Sequence, residues 1–304
     1  MRDARPTILL VGKDGQLGRD LAAVLPAAGA VVACGRAEID LADPSAIVRC
    51  VREIAPALIV NAAAYTEVDR AETERDAAFA INARAPGILA EEAKRAGAVL
   101  IHYSTDYVFD GTATAPYGES ARTHPLSVYG ASKLAGEQAI AASGARALML
   151  RTSWVYARHG RNFLLTMQKL AATRSELRVV ADQTGVPNWS RALAGATARI
   201  VTQGVNYVAD RAGLYHLSAQ GRTTWYEFAR AIVGDDARVR VTPITTADYP
   251  TPAKRPAFAV LDASRFTRTF GFGLPHWQEL LQQCLRSEPE AVASAGPDQR
   301  SPAA

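Results

Sequence analysis

The sequence has few cysteines and no long hydrophobic segment. Its three cysteines, Cys34, Cys50 and Cys284, lie far apart, and none belongs to a Cys-x-x-Cys or Cys/His spacing typical of zinc sites. A disulfide framework is therefore not expected, which favours a reducing, cytoplasmic compartment. No run approaches the roughly 18–20 apolar residues of a membrane span, and residues 1–6 do not resemble a signal peptide.

Blocks of like charge are also absent. The 34 basic and 30 acidic residues give a net charge of +4 and are spread along the chain, so nucleic-acid binding is not indicated. Hydrophobic residues make up 48% and charged residues 21% of the 304 positions, the balance of a globular protein of one enlarged or two ordinary domains. A net charge of +4 suits an anionic small-molecule ligand, although a protein without a ligand can have the same charge. We expect no membrane partner.

Short apolar runs alternate with helical periodicity in the first half of the chain. The runs predict strands at 7–11, 31–34, 58–61, 99–104 and 148–151. The periodic segments between them predict helices at 16–25, 44–54, 72–95 and 128–142, the third of them with a bend near Pro86 and Gly87. This alternation predicts an α/β fold with a doubly wound parallel sheet of the Rossmann type. An α/β fold that binds no nucleotide would show the same pattern.

The second half is less regular and contains a proline-rich stretch at 243–256. We interpret residues 1–155 as an NAD(P)-binding Rossmann domain to which segments near 175–205 return. Residues 156–286 are interpreted as a smaller C-terminal α/β substrate domain. Residues 287–304 are mostly Ala, Ser, Pro, Glu and Gln, and they predict a disordered tail.

A glycine-rich turn follows the first predicted strand. Gly12, Gly15 and Gly18 form a G-x-x-G-x-x-G pattern that opens the first predicted helix. Glycines let the backbone turn tightly and approach a pyrophosphate, which the N-terminus of the helix can hold. Dinucleotide binding is indicated, although a plain glycine turn would also fit.

The second strand predicts which dinucleotide is preferred. It ends in Cys34, Gly35 and Arg36, with no carboxylate in the place where one often holds the ribose 2′-hydroxyl. A guanidinium favours a 2′-phosphate, so NADPH is preferred over NADH unless Arg36 is only a solvated surface residue. Two groups of residues further along the chain are also candidates for cofactor binding. Asp40 and Leu41 can frame the adenine ring, and the small side chains of Ala62, Ala63 and Ala64 leave space for the cofactor.

Tyr129 and Lys133 form the most specific pair. At i and i+4 they share one face of a helix, and a cation one turn away would lower the pKa of the tyrosine toward neutral pH. A solvated Tyr–Lys helix face is the other interpretation. Ser104 and Thr105 end the fourth strand, where a hydroxyl can bind a substrate oxygen or only cap the strand.

Together these motifs resemble the extended short-chain dehydrogenases/reductases, and within them the dTDP-4-dehydrorhamnose reductases. The similarity extends over about residues 8–285. The motifs that narrow the resemblance from the superfamily to this family lie at residues 12–18, 60–69, 102–109, 128–137, 151–156 and 249–252.

This resemblance implies NADPH-dependent reduction of the C4 ketone of dTDP-4-dehydro-L-rhamnose, a step in making precursors of cell-surface polysaccharides such as O-antigen. NADH is a possible substitute. The implied catalytic residues are Thr105, Tyr129 and Lys133, and Thr105, Asp106 and Trp154 would contact the sugar. The implied cofactor contacts are Gly15, Gln16, Leu17, Asp40, Leu41, Ala64, Tyr65 and Thr66. Tyr129 and Lys133 are also expected to contact the cofactor, because the lysine ammonium can hold a ribose hydroxyl.

Two departures from the family pattern affect these expectations. Ala257 and Ala259 follow Arg255-Pro256 where relatives often have Asn and Ser, in a region expected to contact the nucleotide half of the substrate. Arg191 stands near a glutamate that holds a bridging magnesium in some members, so we expect no metal site and a monomer or homodimer without a metal bridge. Two alternatives remain: another nucleotide-sugar reductase or epimerase of the superfamily, and a non-catalytic regulatory subunit with this fold.

Overall fold

The structure is a computed structural model that describes residues 5–235 and 237–287. A parallel sheet of six strands forms its centre, in the spatial order β10-β5-β4-β3-β1-β2. The strands are β1 (Thr7–Val11), β2 (Ala30–Cys34), β3 (Leu58–Asn61), β4 (Val99–Thr105), β5 (Ala147–Thr152) and β10 (Gly213–His216). The predicted α/β fold with a doubly wound parallel sheet is confirmed. The predicted tail from residue 288 onward lies outside the described residues.

Helices cover both faces of this sheet. The α-helices of the described residues, on this sheet and beyond it, are α1 (Gln16–Val24), α2 (Pro44–Ile54), α3 (Arg75–Phe79), α4 (Ala85–Ala96), α5 (Val128–Ser143), α6 (Phe163–Ala171), α7 (Ser190–Val201), α8 (Val205–Ala209), α9 (Trp225–Val233), α10 (Ser264–Phe270) and α11 (Trp277–Arg286). Shorter strands lie outside the sheet: β6 (Val155–Tyr156), β7 (Glu176–Val180), β8 (Thr184–Gly185), β9 (Asn188–Trp189), β11 (Thr223–Thr224) and β12 (Arg240–Ile244).

The core has two layers because successive side chains of a strand point to opposite faces. In β1, Ile8 and Leu10 belong to a large apolar cluster that extends into the second half of the chain. Leu9 and Val11 belong to the cluster on the other face, beneath α2 and α4. All four side chains are buried, as expected for a strand covered on both faces.

Two predicted segments differ from the structure. The predicted helix at 72–95 is divided: a π-helical turn at Ala80–Arg84 separates α3 from α4, just before Pro86. Pro86 has no N–H to donate, so the backbone hydrogen bonding changes there. Residues 213–216 fall within the predicted smaller domain at 156–286, but as β10 they pair with β5 at the edge of the central sheet. The sequence of a four-residue strand does not indicate which strand it pairs with.

No helix among the described residues is long and apolar enough to cross a membrane.

Asp43 caps α2, since its side chain accepts a hydrogen bond from the backbone N–H of Ser45 at 2.8 Å. We expect Asp43→Ala to lower the free energy of unfolding by about 1 kcal/mol, because that N–H loses its acceptor. Urea denaturation measures this, with Asp43→Ser as the matched control that keeps an acceptor. Equal losses for Ala and Ser would show that the cap does not stabilise the helix.

Candidate active site

A cleft of about 1000 Å³ lies at the carboxyl edge of the central sheet. Strand order reverses there between β1 and β3, which is the point where open parallel sheets bind ligands. Most of the residues predicted to form the site line this cleft: Gly12, Gly15, Gln16, Leu17, Arg36, Asp40, Leu41, Ala62, Ala63, Ala64, Thr66, Thr105, Asp106, Tyr129, Lys133 and Trp154.

The glycine turn needs glycine for two different reasons. Gly12 has φ +93°, in the left-handed region, and a Cβ there would lie 2.7 Å from the backbone nitrogen of Ala63. A Cβ on Gly18 would overlap the carbonyl oxygen of Gly12. The absence of a side chain at Gly18 therefore lets α1 pack closely on the turn. Gly18 itself is not among the residues that line the cleft.

The N-terminus of α1 faces the cleft with Gly15, Gln16 and Leu17. The first N–H groups of a helix have no acceptor within it, so this end can bind an anion. The buried Oε1 of Gln16 has no hydrogen-bond partner among the described residues. An unpaired buried oxygen beside free N–H groups fits a polar ligand such as a dinucleotide.

A carboxylate, that of Glu38, lies close to the end of β2, although it is not among the residues that line the cleft. Glu38 accepts a hydrogen bond from the Gly35 N–H at 2.7 Å and pairs with Lys13 at 2.5 Å. The Lys13 hydrogen bond, followed by the one from Gly35, lowers the pKa of Glu38. Sequence reasoning considered only the strand's own end, whereas a turn returns Glu38 to it. Arg36 is exposed at the cleft beside this pair.

Lys133 is buried, and its Nζ contacts groups of β4. Its Nζ donates to the carbonyl oxygen of Tyr103 at 2.6 Å and lies 3.3 Å from Nε2 of His102. Desolvation lowers the pKa of Lys133 to about 8, against the opposing effect of the Glu137 carboxylate. The amine is thus close to its titration range at physiological pH.

The prediction that Lys133 lowers the pKa of Tyr129 is wrong in this structure. Desolvation raises the pKa of Tyr129 to about 12, and a hydrogen bond to Thr105 offsets this only in part. The physical reason is that desolvation of the partly buried phenol outweighs its hydrogen bond to Thr105, while Nζ of Lys133 donates to the carbonyl oxygen of Tyr103. Tyr129 therefore keeps its proton at neutral pH and is in the state of a proton donor.

Thr105 and Asp106 lie at the end of β4 in the same cleft. The Thr105 hydroxyl donates to Oδ1 of Asp106 at 2.9 Å and accepts from the Tyr107 N–H at 3.1 Å. Desolvation raises the pKa of Asp106 to about 7. Oδ2 of Asp106 is buried without a hydrogen-bond partner in the described part of the chain. This pair offers a hydroxyl and a carboxyl group to a polar ligand.

Trp154 forms an aromatic wall of the cleft. Its φ of +42° is unusual for a residue with a side chain, and its ring stacks on Trp225 with centroids 3.6 Å apart. Gly185 makes room for this indole, because a Cβ there would lie 2.5 Å from the ring. The strained backbone directs Trp154 into the cleft, where a sugar ring can pack on it.

Tyr65 was predicted to contact the cofactor, but the structure does not place it in the cleft lining. Its hydroxyl donates to Oε2 of Glu74 at 2.6 Å, and its N–H donates to the Asn82 side chain at 2.8 Å. The neighbouring Ala64 and Thr66 do line the cleft.

Sequence reasoning missed several residues of the cleft and its surroundings. Trp225, Arg161 and Asn162 line it from the second half of the chain, where no motif marks them. His102 lies behind Lys133, and its neighbourhood depends on strand pairing. Among the described residues, no group of three or more His, Cys, Asp or Glu side chains could hold a metal ion.

Comparison with known proteins identifies the family. Residues 6–289 match the family described as RmlD substrate binding domain. The dTDP-4-dehydrorhamnose reductase of Burkholderia thailandensis is 44% identical over 291 residues, covering 92% of this chain and 98% of the relative. The Escherichia coli K12 enzyme of the same name is 44% identical over 294 residues, covering 91% and 96%.

Solved structures agree. The NADP complex of dTDP-4-dehydrorhamnose reductase from Bacillus anthracis has a TM-score of 0.87 and 34% identity, covering 92% of this chain and 99% of that one. An orthologue from Clostridium acetobutylicum has a TM-score of 0.86 and 36% identity, covering 92% and 98%. The chain belongs to the dTDP-4-dehydrorhamnose reductase family of extended short-chain dehydrogenases/reductases.

Proposed function

We propose that the chain is an NADPH-dependent reductase that converts the C4 ketone of dTDP-4-dehydro-L-rhamnose to dTDP-L-rhamnose. The observation that carries this proposal is the single cleft that joins the glycine turn to Thr105, Tyr129 and Lys133. A dinucleotide held by the turn would present its nicotinamide to a ketone held by the hydroxyl groups. Family membership supplies the reaction, and the cleft supplies residues suited to it.

The cofactor would be held along the edge of the sheet between β1, β2 and β3. Gln16 and the N-terminus of α1 would bind the pyrophosphate, and Arg36 the 2′-phosphate. Asp40 and Leu41 would frame the adenine, while the small side chains of residues 62–64 leave space for the ring system. When bound, NADPH supplies the hydride.

Tyr129 would act as the acid. As the C4 oxygen gains negative charge, the phenol donates its proton to that oxygen, and its raised pKa ensures that the proton is present at neutral pH. Thr105 would polarise the same oxygen by turning its hydroxyl hydrogen away from Asp106. The Lys133 ammonium would add a positive charge beside the resulting phenolate.

Asp106 and Trp154 would hold the sugar. The unpaired Oδ2 of Asp106 can accept a hydrogen bond from a sugar hydroxyl, and the Trp154 ring gives the sugar an apolar face to pack on.

The domain division and the setting of the protein are also proposals. We propose that residues 1–155, with α7 and β10, serve the cofactor, and that the rest of 156–286 serves the substrate. We also propose a cytoplasmic monomer or homodimer without a metal bridge, without a nucleic-acid or membrane partner. The three free cysteines support the reducing compartment.

A spectrophotometric assay tests the function. With dTDP-4-dehydro-L-rhamnose generated from dTDP-glucose by the two preceding enzymes, we expect the NADPH absorbance band to decline as dTDP-L-rhamnose forms. Binding of NADPH without turnover would refute the proposal and favour another sugar ketone or a regulatory role.

Arg36→Gln tests the cofactor preference. We expect the ratio of kcat/KM for NADPH to that for NADH to fall about fivefold, or ~1 kcal/mol, because an exposed guanidinium is screened by solvent. Arg49→Gln, the same change at an exposed residue of α2 outside the cleft lining, is the control. An unchanged ratio in Arg36→Gln would assign the 2′-phosphate to other residues.

A further inference from the structure

A buried chain of polar side chains lies behind the cleft and ends at Lys133. His102 in β4 is fully buried and stands opposite Asn61 in the register of β3 and β4. Nδ2 of Asn61 lies 3.0 Å from Nδ1 of His102, and Nε2 of His102 lies 3.3 Å from Nζ of Lys133. None of the roles proposed above uses Asn61 or His102.

The backbone fixes the direction of the Asn61 amide. Oδ1 of Asn61 accepts a hydrogen bond from the Ala63 N–H at 3.1 Å, and a backbone N–H can only donate. The Asn61 side chain therefore presents its NH₂ group, a donor, to His102. Reversing the amide would set two donors against each other at Ala63.

The amide in turn fixes the tautomer of His102. Nδ1 must accept from the Asn61 NH₂ group, so the proton of the neutral ring is on Nε2. The doubly protonated ring is disfavoured as well, because burial, followed by the charge of Lys133, lowers the pKa of His102 well below its usual value. The Nε2–H bond consequently points at Nζ of Lys133.

This arrangement suits a neutral amine better than an ammonium. The lone pair of a neutral amine can accept from Nε2–H while one of its own N–H groups donates to the Tyr103 carbonyl. An ammonium has no lone pair and sets a donor against a donor at His102. Glu137, one turn along α5, acts in the opposite sense, although Arg151 holds its carboxylate through two hydrogen bonds at 2.8 and 2.6 Å.

We propose that Asn61 and His102 are positioning residues that weaken the hold of Lys133 on its proton through the fixed Nε2–H tautomer. Lys133 then changes its charge near the working pH instead of remaining a permanent cation. Within the reductase mechanism proposed above, on which this consequence rests, activity falls as rising pH removes the ammonium proton. The fall in activity at alkaline pH, the alkaline limb of the pH profile, therefore reports the deprotonation of Lys133.

The tautomer is measured directly by ¹⁵N NMR of the full-length chain labelled at histidine, with and without NADPH. The chain has only five histidines, and the signals of His102 are those lost in His102→Gln. We expect a protonated Nε2 and a bare Nδ1 from about pH 6 to about pH 9, with no ring titration. A protonated Nδ1, or a charged ring, overturns the proposal whether or not the chain is a reductase.

The effect on Lys133 is measured by the pH dependence of kcat. His102→Gln can turn an amide oxygen toward Nζ, so we expect its alkaline limb to move up by about one pH unit, a tenfold change in proton affinity. His124→Gln, the same change at an exposed histidine outside the cleft, should keep the wild-type limb. If the alkaline limb of kcat lies at the same pH in wild type and in His102→Gln, the proposal is overturned.

Asn61→Asp provides a second route if His102→Gln does not fold. It keeps an acceptor for the Ala63 N–H but presents an oxygen to Nδ1, which moves the ring proton there and leaves Nε2 as an acceptor for Lys133. We expect the same upward movement of the limb and a switched ¹⁵N pattern, and an unswitched pattern contradicts the proposal. Wild type without turnover at any pH refutes the proposed function, and the NMR result then decides this inference alone.

Discussion

Replacing Tyr129 by phenylalanine is expected to lower kcat by about a hundredfold to ten-thousandfold, the usual contribution of a positioned general acid. The substitution removes one hydroxyl and keeps the ring, which stacks edge-on against Tyr107 with centroids 5.5 Å apart. The affinity for NADPH should change less than about twofold, because the glycine turn and the end of β2 are untouched. Steady-state kinetics and fluorescence titration with NADPH measure the two quantities.

Tyr207→Phe is the matched control for this prediction. Tyr207 is in α8, outside the cleft lining, and its ring packs against Arg211. Its variant should retain wild-type kcat and thermal stability. If Tyr129→Phe turned over as fast as Tyr207→Phe, the proton donor would have to be another group in the cleft.

Gly12→Ala is expected to have the second largest effect, on both stability and cofactor binding. A side chain at φ +93° costs roughly 1–2 kcal/mol, and the overlap of Cβ with the backbone of Ala63 adds a similar amount. We expect the free energy of unfolding to fall by about 3 kcal/mol. NADPH affinity should fall more than about tenfold, since the turn must move away from β3. Urea denaturation and NADPH titration measure these changes.

Gly15→Ala separates the two effects. Gly15 has φ −74°, and a Cβ there would approach only the Gly12 carbonyl oxygen, at 3.4 Å. This variant should unfold at the same urea concentration as wild type within error, and any loss of NADPH affinity then reports contact with the cofactor. Comparable destabilisation by both substitutions would mean that the close approach of Gly12 to Ala63 is not what requires glycine there.

The elements that rest on local chemistry were predicted well from the sequence. Asp43 before Pro44 defines the start of α2, and the apolar run at 7–11 defines β1 to the residue. Thr224 caps α9 with Glu227 in a reciprocal capping box. In each case the signal lies within a few residues of the feature it predicts.

Features that depend on long-range pairing were not predictable in this way. The role proposed for His102 depends on Asn61, which lies 41 positions earlier in the chain. The register of β3 and β4 brings the two residues opposite each other. Glu38 returns to the end of β2 through a turn, and Trp225 reaches Trp154 from 71 positions away along the chain. The pKa of Tyr129 was predicted in the wrong direction because helical spacing reveals a neighbouring lysine but not the desolvation of the phenol.

The proposed function requires this chain to transfer a hydride from NADPH to C4 of a dTDP-linked 4-ketosugar. The most direct test supplies NADPH deuterated at the transferred position and examines the sugar product by NMR. Deuterium is expected at C4 of dTDP-L-rhamnose, with one NADPH consumed for each molecule formed. Sugar conversion without net NADPH consumption, or product without deuterium at C4, would contradict it and favour an epimerase that returns its hydride.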